Sequence, residues 1–204
     1  ILYFSALSLI PIGQAVTLQY TAPLFVALLS GSLIREKVST SVLISLFTAF
    51  IGIILIVSPD LDSIDPNALL ALGSGLFAGL AYIFVRDLRK TDSPSTVVFW
   101  FAAFSVAGSV IQAAPELTNL TWEMLAALVG IGVGAGGGQV GITMAYHQAN
   151  AAWVSAFSYL TVIIATIYGI ILFDEVLSTK IIIGGFLIIG SGVALIFFTP
   201  STNE

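Results

Sequence analysis

Residues 11–36 read PIGQAVTLQYTAPLFVALLSGSLIRE, and 139 positions later residues 150–175 read NAAWVSAFSYLTVIIATIYGIILFDE. Laid on each other without a gap, the segments and their surroundings pair Ala6 with Ala145, Tyr20 with Tyr159, Leu33 with Leu172 and Glu36 with Glu175. The match continues through Ser39 with Ser178, Thr40 with Thr179, Ile44 with Ile183 and Phe47 with Phe186. Shared apolar composition accounts for the Leu and Ile identities. It does not account for a mid-run tyrosine and a run-ending glutamate followed by Ser-Thr in one register. The chain is therefore read as an internal duplication, and a repeat of that kind governs the fold.

Composition sets the class. The chain is 58% hydrophobic and 8% charged, where a soluble domain carries about a quarter charged residues. Uncharged runs occupy residues 1–34, 38–59, 66–85, 93–115, 124–173 and 181–203. A helix needs about 20 such residues to cross a bilayer, so an all-α polytopic membrane protein in a lipid bilayer is expected, not a barrel of alternating strands. There is no cysteine, which excludes a disulfide framework and thiolate metal sites. The net charge of -5 comes from loops, and no basic patch offers a surface to nucleic acid.

The first run is too long for one span and breaks at Pro11-Ile12-Gly13, leaving residues 1–10 as a helix stub. No initiator Met, basic flank or small-residue cleavage site marks a signal peptide. Spans are expected over Ile12–Ile34, about Ser41–Val57, Pro66 to about Val85 and Pro94 to about Ala114. Two more lie within the run from Met124, with His147-Gln148-Ala149-Asn150 as its one polar place to turn, and a last span covers Ile181–Phe198. That makes seven complete spans and a stub. The expected division is 1–59 for the end of a first repeat, 60–65 for an external linker, 66–198 for a second repeat and 199–204 for a tail.

Lys and Arg favour the cytoplasmic side of short loops. Alternate loops place Arg35, Lys37, Arg86, Arg89 and Lys90 on one face and Lys180 on the other, so the C-terminus is expected in the cytoplasm; the residues do not identify the membrane, and the plasma (inner) membrane is the expected location. Five spans separate Glu36 from Glu175, and an odd number inverts the second copy. Inverted repeats are how many secondary transporters build two alternating openings around a central site. With the second copy starting near Pro66, roughly two and a half helices of the first copy are expected ahead of Ile1.

The segment Ala6–Pro59, with PIGQA at 11–15, Tyr20-Thr-Ala-Pro23 and the terminal Glu36, resembles the second half of an EamA domain of the drug/metabolite transporter superfamily. Phe84-Val-Arg-Asp-Leu-Arg-Lys-Thr91 with Val98-Phe-Trp100 is similar to the connection between helices 6 and 7 of those transporters, and Ala145-Tyr146 with Glu175 resembles their second domain. The resemblance implies ten helices in two five-helix repeats, cytoplasmic termini, and export or exchange of small metabolites, such as amino acids or their derivatives, by alternating access. It implies a transporter with a small-molecule substrate, no cofactor and no enzymatic activity. The first repeat would be N-terminally truncated. The competing reading is a non-transporting scaffold, an assembly subunit or an inactive fragment, and oligomeric state is open.

Residues able to carry chemistry are few. No Asp, Glu, Lys or Arg falls inside an expected span, and such groups are the usual markers of ion coupling. No catalytic or metal-binding set is expected, and His147 is read as solvated in a loop. The run Gly130–Gly141 is read as a close-packing face, with a flexible cavity-lining helix as the alternative, and Gln139 within it needs a partner, either another helix or substrate. Pro23 is expected to kink its helix, and Val162 at the matching place makes that kink asymmetric. Glu36 and Glu175 are expected to pair with a nearby base or the start of the next helix rather than with substrate. Tyr20 and Tyr159 each lie eight residues into a span, about 12 Å deep, and approach the midplane of a core about 30 Å thick. They are the leading candidates to line a central substrate site, followed by Gln139 and Tyr82.

Overall fold

The computed structural model describes residues 1–58, 66–114, 120–173 and 176–198. Its helices are α1 (Leu2–Leu7), α2 (Ile12–Gln19), α3 (Ala22–Leu33), α4 (Thr40–Val57), α5 (Ala68–Leu88), α6 (Pro94–Ala113), α7 (Trp122–Gln148), α8 (Ala151–Phe157), α9 (Leu160–Phe173) and α10 (Thr179–Phe198). Taking α2 with α3 and α8 with α9, seven runs among the described residues are long and apolar enough to cross a membrane. Their ends fall close to those expected, and α1 is the stub.

The duplication is visible in how these helices begin. Ser39 accepts the Val42 N–H at 3.4 Å ahead of α4, and its repeat mate Ser178 accepts the Ile181 N–H at 3.4 Å ahead of α10. Such caps satisfy donors that have no partner in the first helical turn. Pro11 precedes α2 with φ -53° and ψ 136°, and its mate Asn150 precedes α8 with φ -53° and ψ 137°. A proline and an asparagine thus hold one backbone conformation at the same place in the two copies.

The structure divides into two compact units, residues 1–84 with 149–204 and residues 85–148. In the first, α4 packs along α10, closest at two glycines. A Cβ on Gly52 would sit 2.6 Å from the Gly184 carbonyl oxygen, and one on Gly184 would sit 2.5 Å from that of Gly52. Their repeat mates, Ser191 and Ser45, are also small and buried. Gly75 and Gly79 bring α5 onto the end of α2 and the start of α3, where a Cβ on Gly75 would lie 2.7 Å from Thr21 Oγ1 and one on Gly79 2.9 Å from the Ala22 carbonyl. Small residues let backbones approach in this way.

In the second unit α6 packs against α7, and three expectations change. Helix α5 runs past Val85 to Leu88, so Arg86 and Asp87 are helical rather than in a loop. Arg86 is only 3% exposed and donates from Nη1 to the carbonyls of Tyr146 at 3.0 Å and His147 at 3.2 Å. A cation at a helix C-terminus, hydrogen-bonded to its last carbonyls, is well placed, which explains a buried charge in the last turn of α5. His147 belongs to the last turn of α7 and is half-buried, with Nε2 enclosed, instead of lying solvated in a loop. At Gly130, Gly132, Gly134, Gly136, Gly137, Gly138 and Gly141 a Cβ would meet nothing within 4 Å. Among the described residues the close-packing glycines are those of α4, α5 and α10, because only there does a second backbone cross.

Candidate substrate site at the paired helix breaks

Both repeat-related spans are interrupted at matching positions, to within one residue of the 139-residue register. The first stops at Gln19 and resumes at Ala22; the second stops at Phe157 and resumes at Leu160. The ladder tightens there from i−4 to i−3 bonds: Thr21 N–H to Leu18 O at 3.1 Å in one copy, and Ser158 N–H to Ser155 O at 3.1 Å with Tyr159 N–H to Ala156 O at 3.3 Å in the other. Hydroxyls reinforce the turn, with Thr21 Oγ1 donating to the Leu18 carbonyl and Ser158 Oγ to that of Ser155. Side chains bonding back to i−3 carbonyls compete with the helical ladder. The expected asymmetry is therefore overturned: Pro23 sits in the first turn of α3, where its missing N–H costs little, and the second copy breaks without any proline.

Tyr20 and Tyr159 lie at these two breaks, and the fold brings them together. Their ring centroids are 6.2 Å apart with planes at 61°, an edge-to-face pair, which is a favoured aromatic geometry. Tyr159 is 0% exposed, and its hydroxyl has no hydrogen-bond partner among the described residues. A buried phenol usually finds one. Tyr82 on α5 is half-buried and close enough to Tyr20 to interact with it electrostatically.

Three further polar groups belong to this unit. Ser74 donates to Gln19 Oε1 and to the Ala71 carbonyl, tying α5 to the end of α2. Thr17 Oγ1 and Trp153 Nε1 are buried without a partner among the described residues. Thr17 and Ser74 escaped the sequence reading, although Gly73 and Gly75 around Ser74 marked that face of α5 as a place of close approach. Gln139 lies in the other unit, donating from Nε2 to Thr143 Oγ1 one turn along α7 at 3.4 Å. Glu175 lies outside the described residues. Glu36 accepts the N–H of Ala151 at 2.9 Å, so one of its partners is the start of α8. Among the described residues no cluster of His, Cys, Asp and Glu could hold a metal ion. An apolar cleft beside Ile163, Thr166, Ile167 and Phe186 is not lined by the tyrosines and has the character of a lipid-facing groove.

Residues 1–58 and 66–198 match the EamA-like transporter family. A riboflavin transporter of Brucella anthropi is 30% identical over 98% of this chain and 72% of its own length. The pseudopaline exporter CntI of Pseudomonas aeruginosa is 28% identical over 95% of this chain and 69% of its own. The chain spans about two thirds of the length of the curated relatives it matches. A solved crystal structure superposes with a TM-score of 0.78 over 97% of this chain and 73% of that one at 17% identity, which shows the same fold.

Proposed function

Because this chain belongs to the EamA-like transporter family, we propose that it carries a small organic metabolite through the membrane by alternating access, with Tyr20 and Tyr159 lining the site between two inverted repeats. The repeats are residues 1–59 and 66–198, joined by 60–65 and followed by a cytoplasmic tail from 199. The observation that carries the reading is the meeting of the repeat-related tyrosines at two helix breaks. Discontinuous helices near the midplane are where such transporters hold substrate.

The chemistry around the breaks favours an uncharged, ring-bearing molecule. The N–H groups of Thr21, Ser158 and Tyr159 are taken up by i−3 carbonyls and that of Tyr20 by the i−4 carbonyl, so these four are not offered to an anion. The groups close by are phenols, hydroxyls and an amide: Tyr20, Tyr82, Tyr159, Thr17, Ser74 and Gln19. Riboflavin, an uncharged ring system with a hydroxylated chain, is the first probe, with aromatic amino acids, which are zwitterions, as the contrasting second. A scaffold would bond its polar groups to neighbouring helices; the buried Tyr159 hydroxyl, unpartnered among the described residues, favours a substrate site.

Tyr20→Phe and Tyr159→Phe test the assignment in membranes expressing the whole protein. Removing a hydroxyl that bonds substrate should weaken half-saturation about tenfold at unchanged folded amount. Transport untouched by both, or reduced only in step with protein level, would withdraw the site.

A further inference from the structure

Glu36 follows α3, close to its negative end, where a carboxylate is disfavoured, yet it sits on the positive end of α8 through the Ala151 N–H. A charge that works against its own helix and for one 115 positions away stabilises the contact between repeats. The backbone is shaped to deliver it. Arg35 adopts the left-handed region at φ 60°, and the Glu36 N–H turns back toward the Ser30 carbonyl at 3.4 Å. Beside it Asn150 accepts the Ala152 N–H at 3.1 Å. The first N–H of α8 is thus held by one repeat and the second by the other.

Inversion gives this contact an image, because α3 against α8 maps onto α9 against α2. The two are unlike. Helices α3 and α8 pack together and bury Val26, Ser30 and Ala151, whereas among the described residues α9 and α2 form no comparable pair. Ala151 is 0% exposed and its mate Ile12 is 68% exposed. Buried Val26 corresponds to exposed Ala165.

We propose that Glu36 is a latch: its carboxylate on the first N–H of α8 holds the α3–α8 end of the repeats shut, and that end opens only when the bond breaks. The inference rests on the alternating-access reading above, in which closing one end accompanies opening the other.

Ser155, 1% exposed and one turn inside the cap, supplies a reporter, since this chain contains no cysteine. Ser155→Cys should react slowly with a membrane-impermeant maleimide applied to the Glu36 face. Glu36→Ala should raise that rate, per folded molecule, about tenfold, the shift expected for a lost charge-assisted hydrogen bond. The same change should slow labelling of the repeat mate, Val16→Cys, from the opposite face. Should Glu36→Ala fail to fold, Glu36→Gln, which keeps a neutral acceptor, carries the test with a smaller ratio. A lower thermal midpoint with both labelling rates unchanged would reduce Glu36 to a helix cap and overturn the latch. Labelling needs no substrate, so the two readings separate: reciprocal rates in a protein that transports nothing would spare the latch and remove the transporter, and unchanged rates in an active protein would do the reverse.

Discussion

A single methyl group is enough to test how closely α4 and α10 cross. Gly184→Ala places a carbon 2.5 Å from the Gly52 carbonyl oxygen, and backbone cannot swing aside as a flexible side chain would. Forcing extra volume into such a contact costs roughly 1–3 kcal/mol. Gly190→Ala, on the same helix with nothing within 4 Å, is the control, and removing a mid-helix glycine there should stabilise by about 0.5–1 kcal/mol. Unfolding in mixed detergent reads both, and a Gly184→Ala protein as stable as the Gly190→Ala one would place the crossing elsewhere. The sequence shows small residues at Ser45, Gly52, Gly184 and Ser191 but also 17 other glycines and 17 other serines. Which of them meet a backbone depends on the rotation of each helix against its neighbour, and periodicity alone does not set that. The Gly130–Gly141 run misled for this reason.

Among the elements, the broken spans separate local from tertiary causes. Proline announced an interruption near residue 23, and the structure has one. Ser158 and Tyr159 announced nothing, because a hydroxyl bonding back to an i−3 carbonyl is a conformational choice open to most helical serines. Since the second copy breaks without proline, Pro23→Ala should leave the first copy broken. Spin labels at Ile12 and Leu33 should report the same distance before and after the change. A lengthened distance, as expected for one straight helix at about 1.5 Å per residue, would show that proline alone makes the break. The expected starts at Ser41 and Ile181 fall within one and two residues of those of α4 and α10, and the caps Ser39 and Ser178 are the local signal that would have sharpened them. The α8 partner of Glu36 and the burial of Arg86 were not legible, because each depends on a chain end that folding brings from more than fifty positions away.

At the scale of the molecule, two apolar copies in opposite orientation follow from the 139-residue offset and an odd number of spans. The Lys and Arg distribution predicts the side: cysteines replacing Ser63 and Asn119 should label from outside intact cells, and ones replacing Thr91 and Asn203 only after permeabilisation. Outside labelling at Thr91 would reverse the assignment of faces. The site at Tyr20 and Tyr159, the latch at Glu36 and alternating access all require that the two copies face opposite sides. The repeat mates Lys37 and Val176, one residue beyond Glu36 and Glu175, test that requirement without reference to substrate or to absolute orientation. Lys37→Cys should react with an impermeant maleimide from one face of the membrane only, and Val176→Cys from the other only. Labelling of both from the same face would contradict the inverted pair.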